Sequence, residues 1–276
     1  MSLFTGRSLM FAITPLAVAG PLAGNIASAQ GPWTAPRGDP HGLNGIRALF
    51  FDVFGTVVDW RSSVAREAQT LLQPLGHSLD WIAFADAWRR QYQPGMEEVR
   101  SGRLAFSKLD VIHRRMLDRI RPQFGLENLH ETVVQELTLA WHKLDAWPDA
   151  PASLHRLSRR FFLAPVSNGN IALMVDLARR NGFPWDAILG AELARDYKPK
   201  PGVYLAAAEA LNLKPEQCMM VAAHSGDLKA AADTGLHTAH VAQVNEFGPN
   251  TGEEAPLQPV DFAASSFSNL ADMLQT

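Results

Sequence analysis

The run Ile46 to Val53 (IRALFFDV) is apolar at consecutive positions and carries an acid near its end, at Asp52. Continuous apolar runs of this length mark strands buried on both faces, as in a parallel sheet. Parallel strands cannot be joined by tight turns and need crossover segments. The segment after this strand is no ordinary crossover. From Val64 to Trp147 only helical spacing is found, as in Trp81, Phe84, Ala85 and Trp88, then Leu109, Ile112, Met116 and Ile120, then Val133, Val134, Leu137 and Trp141. These stripes are read as core packing. After Pro148 the pattern alternates.

Strands are expected at Phe161 to Val166, Ala187 to Gly190, Cys218 to Ala223 and, as the final one, Thr238 to Val241. Helices are expected at Ile171 to Arg180, Val203 to Leu211 and Asp227 to Thr234, with an earlier one from Val64 to Leu72 capped by Ser62 or Ser63. Alternating strands and helices imply parallel βαβ units. The chain therefore reads as α/β, with one strand, an all-helical insertion and then a run of βαβ units.

Composition narrows the function classes. Of 276 residues, 47% are hydrophobic and 19% charged, a globular balance that argues against disorder. A formal net charge of −3, with Lys and Arg scattered, gives no footprint for nucleic acid. The single cysteine, Cys218, excludes a disulfide within the chain and a cysteine-rich metal site. It sits in an apolar run and is expected to be a buried structural thiol. Near the N-terminus, Arg7, the apolar stretch Leu9 to Ala19 and Ala27-Ser28-Ala29 before Gln30 read as a secretory signal peptide over 1–29. That reading places the protein in the periplasm or outside the cell; a start codon assigned too far upstream of a cytoplasmic enzyme is the alternative. The apolar stretch is too short to span a membrane, and no membrane association is expected once the signal is removed. Residues 30–45 are rich in Gly and Pro and read as a linker.

Ligands on open parallel sheets bind beyond the carboxyl ends of the strands. Four polar features fall there: Asp52, Ser167-Asn168, Lys198, and His224 to Asp227. Together they resemble, in order and spacing, the motifs of the haloacid dehalogenase superfamily. Phe51-Asp52-Val53-Phe54-Gly55-Thr56 is similar to motif one, Ser167-Asn168-Gly169 to motif two, Lys198-Pro199 to motif three, and Asp227 within HSGDLKAAADTG to motif four. The resemblance implies a Rossmann-like, three-layer parallel-sheet core over 46–63 and 148–276, with a helical cap inserted over 64–147.

It also implies that Asp52 is a nucleophile that forms a covalent ester, splitting one hard step into two. Phosphatases of the superfamily carry a second Asp two residues after the nucleophile, as acid for the leaving alkoxide. Here that position is Phe54, and a phenyl ring donates no proton. Halide leaves without protonation. Phosphatases also carry a magnesium-binding Asp five residues before the position of Asp227, where this chain has Ala222. Magnesium takes oxygen ligands, and a methyl group offers none. The nearest resemblance is therefore to type II (L-2-) haloacid dehalogenases, which use no metal or organic cofactor and act on short halogenated carboxylic acids.

That resemblance assigns roles residue by residue. Thr56 matches the threonine beside the nucleophile, and Arg89 (with Arg90 a rival by one register) the cap arginine that draws off halide. Ser167 and Asn168 match the pair that binds substrate carboxylate and halide. Lys198 matches the lysine that steadies the nucleophile, Tyr204 a tyrosine near it, and Asp227 the acid that orients Lys198 and helps activate water. Trp60 either lines the pocket or packs in the core. Relatives often dimerise, so a homodimer is an expectation. One departure stands out: Ala222 and His224 occupy positions where well-studied dehalogenases carry Ser and Asn. His224 can hydrogen-bond as the Asn would, position water, act as a base, or be held structurally by backbone. Three rivals remain: a phosphatase on the same scaffold, a hydrolase of another small electrophile, and a non-catalytic module that binds a small molecule.

Overall fold

The computed structural model describes residues 45–276. The expected signal segment and the linker up to Asn44 lie outside the described residues. In chain order the elements are β1 (Ala48–Phe51), β2 (Val58–Asp59), α1 (Trp60–Leu72), α2 (Trp81–Arg90), α3 (Tyr92–Arg100), α4 (Leu109–Ile120), α5 (Glu131–Thr138) and β3 (Asp145–Ala146). Next come α6 (Ala150–Leu157), β4 (Phe162–Ser167), α7 (Ile171–Asn181), β5 (Leu189–Gly190), α8 (Ala191–Ala194), α9 (Pro201–Ala210), β6 (Cys218–Ala222), α10 (Ser225–Ala232), β7 (His237–Val241), β8 (Phe262–Ala264) and α11 (Phe267–Met273).

Six strands form one sheet in the order β5-β4-β1-β6-β7-β8, and every neighbouring pair is parallel. β1 lies inside the sheet with all its residues buried, which is why its sequence is apolar at consecutive positions. Side chains alternate between faces. Leu49, Phe51, Met219 and Val221 pack into one apolar cluster with Leu154, Leu157 and Leu270. Ala48, Phe50, Met220 and Ala222 pack into another with Val203, Tyr204 and Leu228. Helices thus cover both faces, giving the three-layer Rossmann-like core.

From β1 the chain passes to β4 on one side, and from β5 it crosses to β6 on the other. β1 and β6 are neighbours, so the crevice between their carboxyl ends is the topological switch point, where α/β proteins place ligands. Among the described residues no helix is long and apolar enough to cross a membrane.

The helical insertion lies between β1 and β4 and shares the first apolar cluster. Phe84, Trp88, Met116, Leu137 and Trp141 are buried, as the helical spacing predicts, with Trp81 and Val133 packed at its margin. Cys218 is buried as expected, and burial pushes its thiol up to about 12.

Three sequence expectations need correction. The helix expected from Val64 begins at Trp60, and Asp59 caps it by accepting from the Ser62 N–H at 3.0 Å. Asp presents its carboxylate to an exposed helix N–H as well as Ser does, and Ser63 instead accepts from the Asp145 N–H. The stretch read as wholly helical contains β3, which pairs with β2 in an antiparallel ribbon; two residues are too few to show a period of two. Finally, β7 is not the last strand, because β8 pairs with it in parallel. β8 is short and only partly buried, so its apolar signal is weak.

Candidate active site

Asp52 follows β1 directly, and its N–H donates to the Val221 carbonyl at 3.0 Å, prolonging the sheet ladder. This fixes its side chain at the mouth of the switch point. The Asp52 side chain is 10% exposed, so both oxygens need partners. Oδ1 accepts from Lys198 Nζ at 2.8 Å. Oδ2 accepts from Thr56 Oγ1 at 2.8 Å and lies 3.1 Å from His224 Nδ1. Thr56 Oγ1 in turn accepts from the Ala223 N–H at 2.9 Å, tying the turn after β1 to the end of β6.

Lys198 is buried between two acids. Besides Asp52 it donates to Asp227 Oδ2 at 2.6 Å, while its backbone N–H donates to Asn168 Oδ1 at 2.9 Å. Tyr204 on α9 donates its hydroxyl to Asp227 Oδ1 at 2.5 Å. Burial pushes Asp52 upward, but the Lys198 ammonium and the His224 imidazole outweigh it and hold the carboxyl well below the usual range. Burial lowers Lys198, yet Asp227 and Asp52 together keep it above the ordinary lysine range. Burial raises Asp227, only partly offset by Lys198, and raises the Tyr204 phenol.

Above these groups opens a cleft of about 1040 Å³ between the core and the helical insertion. Asp52, Phe54, Trp60, Arg89, Asn168, Lys198, His224 and Asp227 all line it. Phe54 is fully buried edge-on to Tyr92 and Trp141. The Arg89 guanidinium lies 4.0 Å from the Tyr92 ring centre and 5.3 Å from that of Trp60, and its buried Nη1 has no hydrogen-bond partner. Arg90 is also at the cleft but is exposed. A held cation with a free N–H, among aromatic rings that exclude water, is suited to receive an anion.

Ser167 is placed otherwise. It is fully buried and does not line the cleft; its Oγ accepts from the Gly169 N–H at 3.1 Å. Thr56 and Tyr204 also stand behind the cleft surface, hydrogen-bonded to Asp52 and Asp227.

Sequence reading missed Glu246 and Tyr92. Glu246 is 2% exposed. Its Oε2 lies 2.7 Å from His224 Nε2, and its Oε1 accepts from Trp60 Nε1 at 3.0 Å. The signal was available, because Glu246 lies in the loop beyond the carboxyl end of β7, where the ligand rule for parallel sheets points. Tyr92 had only its closeness in sequence to Arg89. His224, read as open between several roles, therefore bridges Asp52 and Glu246. Burial opposes its charge, but the two carboxylates win and push its pKa up to about 10. Among the described residues no cluster of three or more His, Cys, Asp or Glu is arranged to hold a metal ion.

A buried carboxylate thus stands at a switch point, paired to a buried lysine and lining a cleft beneath a helical insertion. The family model for haloacid dehalogenase-like hydrolases matches residues 46–235, more than half the chain. The chain belongs to that family. It is 45% identical to the L-2-haloacid dehalogenase PA0810, with a TM-score of 0.80 over 84% of this chain and 99% of that one. It is 40% identical to the defluorinating L-2-haloacid dehalogenase Rha0230, with a TM-score of 0.82 over 84% of this chain and 96% of that one. It is also 28% identical to (S)-2-haloacid dehalogenase 1 of Pseudomonas sp. (strain CBS-3), over 84% of this chain and 98% of the relative.

Proposed function

We infer that this protein hydrolyses the carbon–halogen bond of short (S)-2-haloacids, giving (R)-2-hydroxyacids and halide through an ester on Asp52. The observation that carries this reading is Phe54 beside Asp52. The position that would hold an acid for an alkoxide leaving group holds a buried ring facing Tyr92 and Trp141, with the Arg89 guanidinium on the same Tyr92. Such a pocket suits a leaving group that departs as an anion and needs no proton. Likeness to dehalogenases along most of both chains supports the substrate class.

In the first half-reaction an Asp52 oxygen attacks C2 from the side opposite the halogen, and the bond to halogen breaks with inversion. Arg89 and Asn168 receive the halide. Lys198 keeps Asp52 ionised until attack and then faces the neutral ester. Water next attacks the Asp52 carbonyl carbon, the ester bond breaks there, and the hydroxyacid leaves. No metal enters either half.

The test is halide release from (S)-2-chloropropionate, with chloroacetate and fluoroacetate in parallel, in the presence of EDTA. Wild-type protein is expected to release halide and Asp52→Asn to release none while keeping its fold. Magnesium-dependent phosphate release from p-nitrophenyl phosphate, with no halide from any acid, would overturn the reading. Export to the periplasm or beyond is part of the proposal; N-terminal sequencing of the protein from that fraction should begin at Gln30.

A further inference from the structure

Displacement of halide by Asp52 needs no base, so that step gives the His224–Glu246 pair no proton to move. His224 presents Nδ1 to Asp52 Oδ2 at 3.1 Å and Nε2 to Glu246 Oε2 at 2.7 Å. Glu246 is held from two further directions. Trp60 Nε1 donates to Oε1, and Gly55 (φ +86°) approaches so closely that a Cβ there would lie 2.1 Å from Oε1. A buried carboxylate fixed in this way orients the imidazole and leaves its other nitrogen facing the nucleophile. On the opposite side, both oxygens of Asp227 are engaged, one by Lys198 at 2.6 Å and one by Tyr204 at 2.5 Å. Each Asp227 oxygen is thus committed to a donor of its own, whereas His224 Nδ1 is the group that lies 3.1 Å from Asp52 Oδ2.

We propose that His224 is the general base for hydrolysis of the Asp52 ester, with Glu246 as its positioning residue. This rests on the dehalogenase reading. In the resting enzyme a doubly protonated imidazole lies between two carboxylates. Once Asp52 is esterified its charge is gone, and Nδ1 releases its proton to solvent while Nε2–H stays on Glu246. Water bound between Nδ1 and the Asp52 carbonyl carbon then attacks, and its proton passes to Nδ1. The tetrahedral centre collapses, the bond from the carbonyl carbon to the ester oxygen (the Asp52 oxygen that attacked C2, which water has now replaced) breaks, and that oxygen takes the proton from Nδ1 as the hydroxyacid leaves. The Asp52 carboxyl ionises onto Nδ1 and restores the resting state. Each turnover consumes one water and yields hydroxyacid, halide and one proton. The groups that face the imidazole are Asp52 after β1, Glu246 after β7 and His240 on β7, with Lys198 and Asp227 behind Asp52.

Rapid mixing with (S)-2-chloropropionate, read by first-turnover halide and by intact mass, separates the two halves. Glu246→Gln and His224→Gln should each release one halide per subunit at near the wild-type rate. They should then turn over about 10²-fold more slowly or worse, with the propionate adduct accumulating on Asp52. Glu246→Asp should recover part of the loss. The acid limb of kcat in Glu246→Gln should move to lower pH, because one carboxylate no longer supports the imidazolium. His224 borders the cleft with 27% of its side chain exposed, so His224→Gln decides the matter if Glu246→Gln fails to fold. Wild-type turnover alongside folded variants that show no burst, or that keep the wild-type steady rate, would overturn this inference alone. No halide from the wild type would overturn the dehalogenase reading and this inference with it.

Discussion

The two sides of the Asp52 carboxylate have the same charge plan and opposite chemistry. On each side one cation lies between two carboxylates: Lys198 between Asp52 and Asp227, and His224 between Asp52 and Glu246. Lys198 is 6% exposed and raised above an already high pKa, so it stays charged throughout a catalytic cycle. Burial lowers the His224 imidazole, and the hydrogen bonds and charges of Asp52 and Glu246 lift it to about 10. When Asp52 is neutralised by alkylation, half of that support goes. The lysine side is a fixed charge and the histidine side a conditional one. The proposed mechanism, in which Asp52 is an anion in one half-reaction and an ester in the next, uses both.

The largest break in this comparison is expected from Lys198→Met. It leaves Asp52 and Asp227 buried without their shared cation, and losing one partner of a buried pair costs about 3–5 kcal/mol. Urea denaturation should show that loss, and halide release should vanish, burst included. Gly55→Ala comes next. Its positive φ and the crowding of Glu246 should cost about 1–3 kcal/mol. It should also slow release of the ester while sparing the burst, as followed by the mixing experiment.

A smaller effect is expected in the pH dependence of stability. The folded-state pKa of His224 is raised, so its contribution is fully present below the ordinary imidazole value and is lost as pH rises through about 10. Melting temperature measured from neutral to alkaline pH should fall in the wild type, and the fall should be shallower in His224→Gln. A steeper fall in the variant would contradict the assignment.

The smallest concerns a histidine outside the site. His142 bonds Asp110 within the insertion and Asp176 on α7, at 3.0 and 2.8 Å, and Asn170 also donates to Asp110. Burial opposes its charge and the two acids raise its pKa, so this tie also weakens as pH rises. Asp176 is half exposed, so His142→Ala should cost only about 1 kcal/mol. Faster amide exchange in α4 should show the loss, with halide release nearly unchanged.

Much of this architecture was legible in the residues. Burial on both faces forces β1 to be apolar at consecutive positions, and the βαβ alternation after Pro148 then dictates a parallel sheet whose strand ends gather Asp52, Asn168, Lys198 and His224. The insertion was legible as helix because its apolar residues recur at helical spacing. The losses were at weak local signals. β3 is too short to display a period, β8 is an edge strand with little burial, and Asp59 outranked the two serines as cap. Ser167 was placed by motif beside Asn168, yet successive strand residues point to opposite faces; its hydroxyl turns inward to Gly169.

The sequence by itself determined where Asp52 and Lys198 stand, the absence of an acid at Phe54 and the sheet that assembles them. Those features arise from short-range pattern and from the rule that parallel strands expose ligands at one end. Only the tertiary structure decided what surrounds His224. Its partner Glu246 is 22 residues away, on a loop with no motif, and the Trp60 that fixes that glutamate is 186 residues from it. A histidine takes its character from the charges around it, and those charges meet only once the chain has folded.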